Sequence, residues 1–583
     1  MVLSGINQEI AVIENDNQVV CYLTPLHDKD DLAIHRLSLK NSQEFIPKPI
    51  TLGWKFPAKN VQGVWKPTAD FSKRIEADWE LQNHESRISI DAPVISLFGS
   101  ADENRLCFSC SNAVNRIELS AKYREEDDHF YCKIILFTEC RYPLKEFTVD
   151  IRIDYRDIHF AQSLREVSTW WESYDSLKPA YVPDIAKKPL YSTWYQFHQD
   201  LDENQLISEC SIAKKMGFEA IIIDDGWQTK DNNRGYDFTG DWQPERFPNF
   251  KELVKSIQDI GMKVGIWYSV PFCGVKSKAY QKFKGKFLTE NHRWAPVFDP
   301  RYPEVRQYLV ETYVEAVKNY GLDGLKLDFI DDFKSYPETS FEWDGKDILS
   351  INGAVDRLLS EVSSELKKIN PEIFIEFRQK YTGPAIRKYG NMLRAFDCPG
   401  DYIMNRVRIA DIKMLAGNTA VHSDMVTWHK DESVEIAALH YMNTLFGVPQ
   451  VSVMLDEIPE SHVRMIGFFT KYWEENKNIL LSQNFYPKAP SENYPALYAE
   501  QGGKKIIGLY SDHIISISGE ERSIDIINSR LKEHVVILSE VTKEFTGVAY
   551  NCCGELVEEF NSTLKKGCNL LALPKSGILQ IKM

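Results

Sequence analysis

From Tyr181 to about residue 480 the sequence alternates short apolar runs with longer amphipathic ones, and that alternation admits few folds. The short runs are Leu190–Tyr195, Ala220–Asp225, Lys263–Tyr268, Gly324–Phe329, Ile373–Arg378, Met392–Asp397, Thr419–Ser423 and Leu445–Val453. Each has the length of a strand, and eight strands are what a closed β/α barrel needs. The segments between them carry apolar stripes at helical spacing. Leu206, Ile207, Cys210, Ala213 and Met216 form one stripe, with Asp202 placed to cap its start and Gly217 its end. Another opens at Pro303, runs through Val305, Leu309, Val310, Val314 and Val317, and stops at Gly321. Two connections, Trp227–Phe250 and Val270–Pro300, are longer than a connector needs, which predicts functional loops.

β patterning flanks this region on both sides. Before it, alternating runs recur at Ile10–Ile13, Val19–Leu23, Ile88–Ile90, Val94–Leu97, Arg116–Leu119, Phe130–Phe137 and Phe147–Ile153, and a helical period first appears at Leu164–Tyr174. Two packed antiparallel sheets are expected there. Trp54, Trp65 and Trp79 lie in this part, most of them as core, with one on a loop able to reach a neighbouring site. After the barrel, Ile506–Leu509, Ile514–Ser518, His534–Leu538 and Leu570–Leu573 read as a smaller β domain. The expected architecture is a central (β/α)8 barrel at 176–481, an N-terminal β-sandwich at 1–175 and a C-terminal β domain at 482–583. A chain of 583 residues is too long for one core, which agrees with this division.

Charge and cysteine usage narrow the partners. A net charge of −15 with no long basic run argues against nucleic acid. The 11 cysteines are scattered without metal-ligand spacing, and neither a metal nor an organic cofactor is expected. No apolar stretch reaches the ~18 residues of a spanning helix, so no membrane partner is expected. The opening MVLSGINQEIAVIENDN lacks the basic and apolar regions of a signal peptide, which together with the thiols points to the cytoplasm. A processed chain would look the same. The sequence leaves room for a homo-oligomer.

The chemistry gathers at the C-terminal ends of the predicted strands, where barrels carry it. They end in Trp194 and Tyr195, in Asp224, Asp225 and Trp227, in Trp267 and Tyr268, in Lys326 and Asp328, in Arg378, in Arg394, Asp397 and, four residues on, Asp401, and in His422, Ser423 and Asp424. Converging carboxylates and indoles suit a sugar: paired acceptors hold vicinal hydroxyls, and an aromatic face covers the ring. In GLDGLKLDF, Gly321–Phe329, period two sends Lys326 and Asp328 the same way, so the cation should keep Asp328 ionised, as a nucleophile requires. Glycoside cleavage needs a second carboxyl group across the bond, one that starts protonated and whose pKa should therefore be raised by burial or a like charge; Asp397 and Asp401 both qualify. Arg378 stands either as a ligand or as a partner of Asp328. His422 and Asp424 are expected as a hydrogen-bonded pair below the site. Trp294, on a long loop, is a candidate platform for a second sugar. Cys273 and Cys398, near the mouth, are expected as small buried apolar groups.

DDGW at Asp224–Trp227, GIW at Gly265–Trp267, the K-x-D of Lys326–Asp328 and the stretch Arg394–Arg406 together resemble the clan D glycoside hydrolases, most closely family 36, the α-galactosidases. The resemblance implies a retaining mechanism with Asp328 as nucleophile and an α-galactoside oligosaccharide as substrate. It implies that Asp224 and Asp225 hold the galactose 4- and 6-hydroxyls, that Trp267 lies beside the ring, and that Lys326 and Arg394 contact hydroxyls near the reacting carbon. Two departures stand out: Leu327 replaces the family's Trp between Lys and Asp, and FDCPGDYIMNR carries extra residues around the acids. Asp397, at the strand end, is preferred as acid/base, with Asp401 as the alternative.

Other functions fit parts of the pattern. An α-galactosyl transferase or another α-glycosidase would keep the same site. A non-catalytic sugar-binding protein would need neither the Lys326–Asp328 pair nor the acid on strand six. A metal enzyme built on Asp328, Asp331 and Asp332 would want histidines that do not accompany them.

Overall fold

The computed structural model describes residues 2–4, 9–15 and 19–583. The opening stretch read for a signal peptide lies partly outside the described residues. At the centre is an eight-stranded parallel sheet, with β1 Leu190–Ser192, β2 Ala220–Ile223, β3 Lys263–Ser269, β4 Gly324–Asp328, β5 Phe374–Arg378, β6 Met392–Arg394, β7 Ala420–His422 and β8 Gln450–Val451. Its order is β7-β6-β5-β4-β3-β2-β1-β8. Parallel bridges from His422 to Val448 and from Val426 to Val451 bring β7 to the β8 segment and all but close the barrel. All eight predicted strands are present, but the first, sixth and last are shorter than expected; β6 stops at Arg394, so Asp397 stands on the loop beyond it and not at the strand end. β1 stops at Ser192, and Trp194–Phe197 turns into a single helical turn, so Trp194 and Tyr195 stand on a loop above the strand. The Leu445–Val453 run reduces to two strand residues.

The helices follow their sequence signals. Asp202 accepts the Gln205 N–H at 3.0 Å and caps Glu203–Lys215. Pro303 opens Pro303–Tyr320, and Gly321 ends it in the left-handed conformation, φ 71°.

Inside the barrel, Leu190, Ala220, Ile222, Phe374, Met392 and Ala420 form a closed apolar plug. Phe374 fills the space left by Gly324: a Cβ there would stand 2.2 Å from the Phe374 ring. Period two then places Lys326 above Gly324, and Glu376 and Arg378 above Phe374, on the same inward side. The barrel is therefore apolar at its base and charged at its mouth.

The N-terminal part is two sheets of seven and six strands around one apolar core. Ile88–Ile90 is a turn closed by an Arg87–Ile90 bridge, not a strand. The strands Leu32–Phe45, Ile50–Pro57 and Asn104–Cys110 lie outside the predicted runs. Trp54 and Trp65 are core, whereas Trp79 is 66% exposed. The C-terminal part pairs a seven-stranded with a three-stranded sheet. One buried carboxylate, Asp411 on the Tyr402–Lys413 helix, ties all three regions together. It accepts from Trp65 Nε1 at 2.8 Å, Lys73 Nζ at 2.7 Å and the Tyr494 hydroxyl. Among the described residues, no helix is long and apolar enough to cross a membrane.

Candidate active site

Asp328 ends β4 and is buried. Its Oδ1 accepts from Arg378 Nε at 2.5 Å, Tyr381 Oη at 2.8 Å and its neighbour's Phe329 N at 2.7 Å, and its Oδ2 accepts from Trp267 Nε1 at 3.0 Å. The chain reaches this arrangement by putting Phe329 into the left-handed region, φ 63°. Burial works against the Asp328 charge, but Arg378, Lys326, the Trp267 N–H and Arg394 outweigh it and hold the carboxyl well below the ordinary carboxylate range. Arg378, two residues beyond Glu376, points inward from β5 and is driven further toward its charged form mainly by Asp328 against the cost of its own burial.

Lys326 also points inward, but its Nζ donates to Asp224 Oδ2 at 2.6 Å. Lys326 thus helps keep Asp328 ionised through its charge, as expected, but the direct ion pairs are Lys326–Asp224 and Arg378–Asp328. The physical reason is reach: Asp224, just past the end of β2, is met by Lys326 from β4 over the one intervening strand, while Arg378 on the adjoining β5 lies alongside Asp328.

Asp225 points the other way. Its two oxygens accept from Gln228 Nε2 and Gln199 Nε2, each at 2.7 Å. Burial pushes its carboxyl up to about 7, with the two amides opposing and Asp224 adding to the rise. The backbone turns at Gly226, φ 116°, where a Cβ would meet Gln199 Cα at 2.6 Å, so the glycine is needed both for the turn and for the close approach.

Arg394, at the end of β6, is shared. Nη2 donates to Asp397 Oδ1 at 2.8 Å, Nη1 donates to Asp424 Oδ1, and Nε lies 3.4 Å from Glu376 Oε1. Asp397 is the most open of these carboxylates, with 39% of its side chain exposed. Burial and Asp328 raise its pKa, but Arg394, Lys326 and Arg378 win and leave it lowered, the reverse of the raised value expected for an acid, because three cations converge on it. Asp424 is fully buried and accepts also from Tyr195 Oη at 2.7 Å and Cys398 N at 2.6 Å. Burial pushes it up to about 6 against the pull of Arg394.

The residues singled out in the sequence divide as follows. Asp224, Trp267, Lys326, Asp328, Arg378, Arg394 and Asp397 come together at the mouth, and Tyr195 joins them through Asp424. Trp194 is half-buried and meets His198 edge-on at 4.5 Å. Asp401 is exposed and caps the next helix by accepting Met404 N at 2.8 Å. Arg406 points away from the mouth, toward Asn443, the Asn493 carbonyl and the Tyr510 ring. His422 and Asp424 do not pair: His422 Nε2 meets the Ala186 carbonyl at 2.7 Å and Nδ1 meets Gln450 at 3.2 Å, because β7 ends at His422 and the chain turns before Asp424. The Trp294 ring meets Tyr236 edge-on at 5.7 Å, and Tyr236 stacks over Trp267 at 6.1 Å. Cys273 is buried and Cys398 half-buried, the latter serving the site through its backbone N–H.

Five contributors escaped the sequence reading. Glu376 carried a signal, since it shares a face with Arg378, and Gln228 directly follows the DDGW run. Tyr236 sits in a loop already marked as functional by its length. Gln199 and Tyr381 lie in connections whose course no periodicity reveals.

The comparisons with known proteins bear on this barrel. Residues 163–376 match the Melibiase family model. The α-galactosidase Mel36A of Lactobacillus acidophilus is 24% identical over 200 residues, 32% of this chain and 26% of that protein. α-Galactosidase 1 of Pediococcus pentosaceus is 30% identical over 139 residues, 23% of this chain and 18% of that protein. The chain thus spans about a quarter of the length of the curated relatives it matches. A solved structure of the GH36 α-galactosidase AgaA of Geobacillus stearothermophilus in complex with stachyose superposes with a TM-score of 0.66 at 14% identity, covering 99% of this chain and 81% of that one. A GH31 sulfoquinovosidase from E. rectale has the same fold, with a TM-score of 0.62 at 12% identity over 100% of this chain and 88% of that one. Through its barrel, its Melibiase match and these relatives, the chain is related to the family 36 glycoside hydrolases, the α-galactosidase family.

Proposed function

We propose that this protein hydrolyses terminal α-linked galactose from oligosaccharides by a retaining, two-step mechanism, with the chemistry in the barrel of a three-domain chain divided near 175 and 481. One observation carries the reading most: Asp328 is a buried carboxylate kept ionised by Arg378, at a barrel strand end, with the more open Asp397 in the same electrostatic field. Asp328 attacks the anomeric carbon while Asp397 gives its proton to the departing oxygen. The glycosyl–Asp328 ester then loses its sugar to a water deprotonated by Asp397. The carboxyl groups help each other in turn. In the free protein Arg394, Lys326 and Arg378 hold the Asp397 pKa down, so its proton must be taken up as bound substrate adds to the burial and Asp328 charge that raise it; that support disappears once Asp328 is esterified, and Asp397 shifts from acid toward base between the steps.

Trp267 and Tyr236 form an aromatic wall on one side, and Asp224 with Lys326 forms a polar one. The AgaA complexes with stachyose and raffinose support an oligosaccharide substrate. A second reading, an α-glycosidase for another sugar, draws on one observation. Both Asp225 oxygens are already held by glutamine amides, which limits their freedom to grip a 4- or 6-hydroxyl.

The test is proton NMR of the purified protein acting on a nitrophenyl α-galactoside. Release of galactose with the α anomer appearing first is expected. The β anomer first would overturn retention, sugar passed to an added acceptor instead of water would favour transfer, and no release would overturn the hydrolase reading.

A further inference from the structure

A cavity of about 490 Å³ lies where the N-terminal sandwich meets the loop after β4. Its walls come from the 46–49 and 137–142 turns of the sandwich, from Lys334 and Phe341, and from the first turn of the Ile351–Ile369 helix. The lining brings five cations, Lys48, Arg87, Arg116, Arg141 and Lys334, against one carboxylate, Glu139. Some of that charge is already used: Arg116 is shared among Glu85, Glu118 and Glu139, and Lys334 lies 3.1 Å from Asp332.

Two arginines keep capacity for an added anion. Arg141 is exposed and lies over the Phe341 ring at 5.0 Å, with no carboxylate within ion-pair distance among the described residues. Arg87 is 5% exposed, and its Nε has no hydrogen-bond partner; the nearest carboxylate oxygen, on Glu85, is 3.5 Å away. A buried guanidinium N–H without an acceptor is costly, and an oxyanion is the group that satisfies it best. The helix adds its positive end. Ser350 Oγ caps Gly353 N at 3.0 Å, and the amides before it have no helical acceptor. Two buried oxygens, Thr138 Oγ1 and Asn352 Oδ1, also lack partners and suit hydroxyl groups.

We propose that this cavity binds a monosaccharide phosphate ester, its phosphate on Arg87, Arg141 and the helix start, and its hydroxyls on Thr138 and Asn352. The volume falls in the range of small-molecule pockets, roughly 300–1,000 Å³, and exceeds what bare phosphate would fill. The inference does not rest on the hydrolase reading, which the galactoside assay tests separately.

Isothermal titration of the full chain at low salt, with glucose 6-phosphate, glucose and inorganic phosphate in turn, tests it. Glucose 6-phosphate should bind at least ~10-fold more tightly than either of the others, and more weakly as salt is added. Arg141→Ala should weaken that binding about 10-fold while leaving kcat/KM on an aryl α-galactoside unchanged. Arg87→Gln should weaken it as well; if that variant does not fold, the exposed Arg141 decides. No binding at ~10 mM, equal binding of glucose, unchanged binding in Arg141→Ala, or displacement of the phosphate ester by a galactoside would each overturn the proposal.

Discussion

Arg378 Nε stands 2.5 Å from Asp328 Oδ1, while Lys326, two residues before Asp328 on the same strand, gives its charge to Asp224 at 2.6 Å. The nucleophile candidate and the sugar-binding candidate therefore each have their own cation, and they should fail differently when mutated.

Asp328→Ala should lower turnover at least ~10³-fold, the scale for removing a covalent step, and azide should restore part of it as a glycosyl azide of inverted configuration. Arg378→Ala should also cost turnover, but azide should not help, because the carboxylate is still present. Near wild-type turnover in Asp328→Ala would exclude it as the nucleophile.

Asp397→Ala should slow hydrolysis of a natural disaccharide far more than that of an activated nitrophenyl glycoside, and should flatten the basic limb of the pH profile. Asp401→Ala should instead cost about 1 kcal/mol of stability through the lost helix cap, with leaving-group dependence unchanged. Steady-state kinetics on both substrates decide; a leaving-group effect in Asp401→Ala alone would reverse the assignment.

The acidic pair should set sugar preference. An α-galactoside should exceed the α-glucoside at least ~10-fold in kcat/KM, since an equatorial 4-hydroxyl leaves buried acceptors poorly paired. Asp224→Asn and Asp225→Asn should narrow that ratio. Equal rates on the two sugars in the unmodified protein would remove the galactose reading and leave the hydrolase reading standing.

Removing Asp411 should destabilise the protein by about 3 kcal/mol or more, since Asp411→Ala leaves the Lys73 ammonium buried without its carboxylate. Denaturant unfolding checks this. The Lys73→Met, Asp411→Leu double variant should recover part of the loss, which the single variants cannot do.

Lys413 gives a pH dependence with a definite sign. Its Nζ is buried, donates to the carbonyls of Phe446 and Leu480, and has its pKa pushed down to about 7 by desolvation, with Arg165 adding to the fall. In the unfolded chain the amine keeps its ordinary pKa near 10.4, so between about 10 and 7 the unfolded state binds the extra proton. Stability from this group is full above the unfolded pKa and is lost as pH falls toward 7. Lys413→Met should therefore flatten the decline of Tm between about pH 10 and pH 7. An unchanged slope would mean that Lys413 stays charged in the fold.

The sequence by itself determined the barrel, because burial has a period that can be counted. Strand residues alternate, helix residues return every third or fourth position, and Asp202, Pro303 and Gly321 mark ends by local chemistry that acts within one turn of chain. The inward pointing of Lys326 and Asp328 followed from the same period. What only the tertiary structure decided was which charge meets which. Lys326 and Asp224 are 102 positions apart, Arg378 and Asp328 are 50 apart, and Tyr381 reaches Asp328 from a loop with no periodicity. Pairing of long side chains depends on distances between strand ends, which are fixed only when the sheet closes. His422 and Asp424 make the same point from close range: two residues apart in sequence, one faces Gln450 and the Ala186 carbonyl and the other faces Arg394, because the chain turns between them.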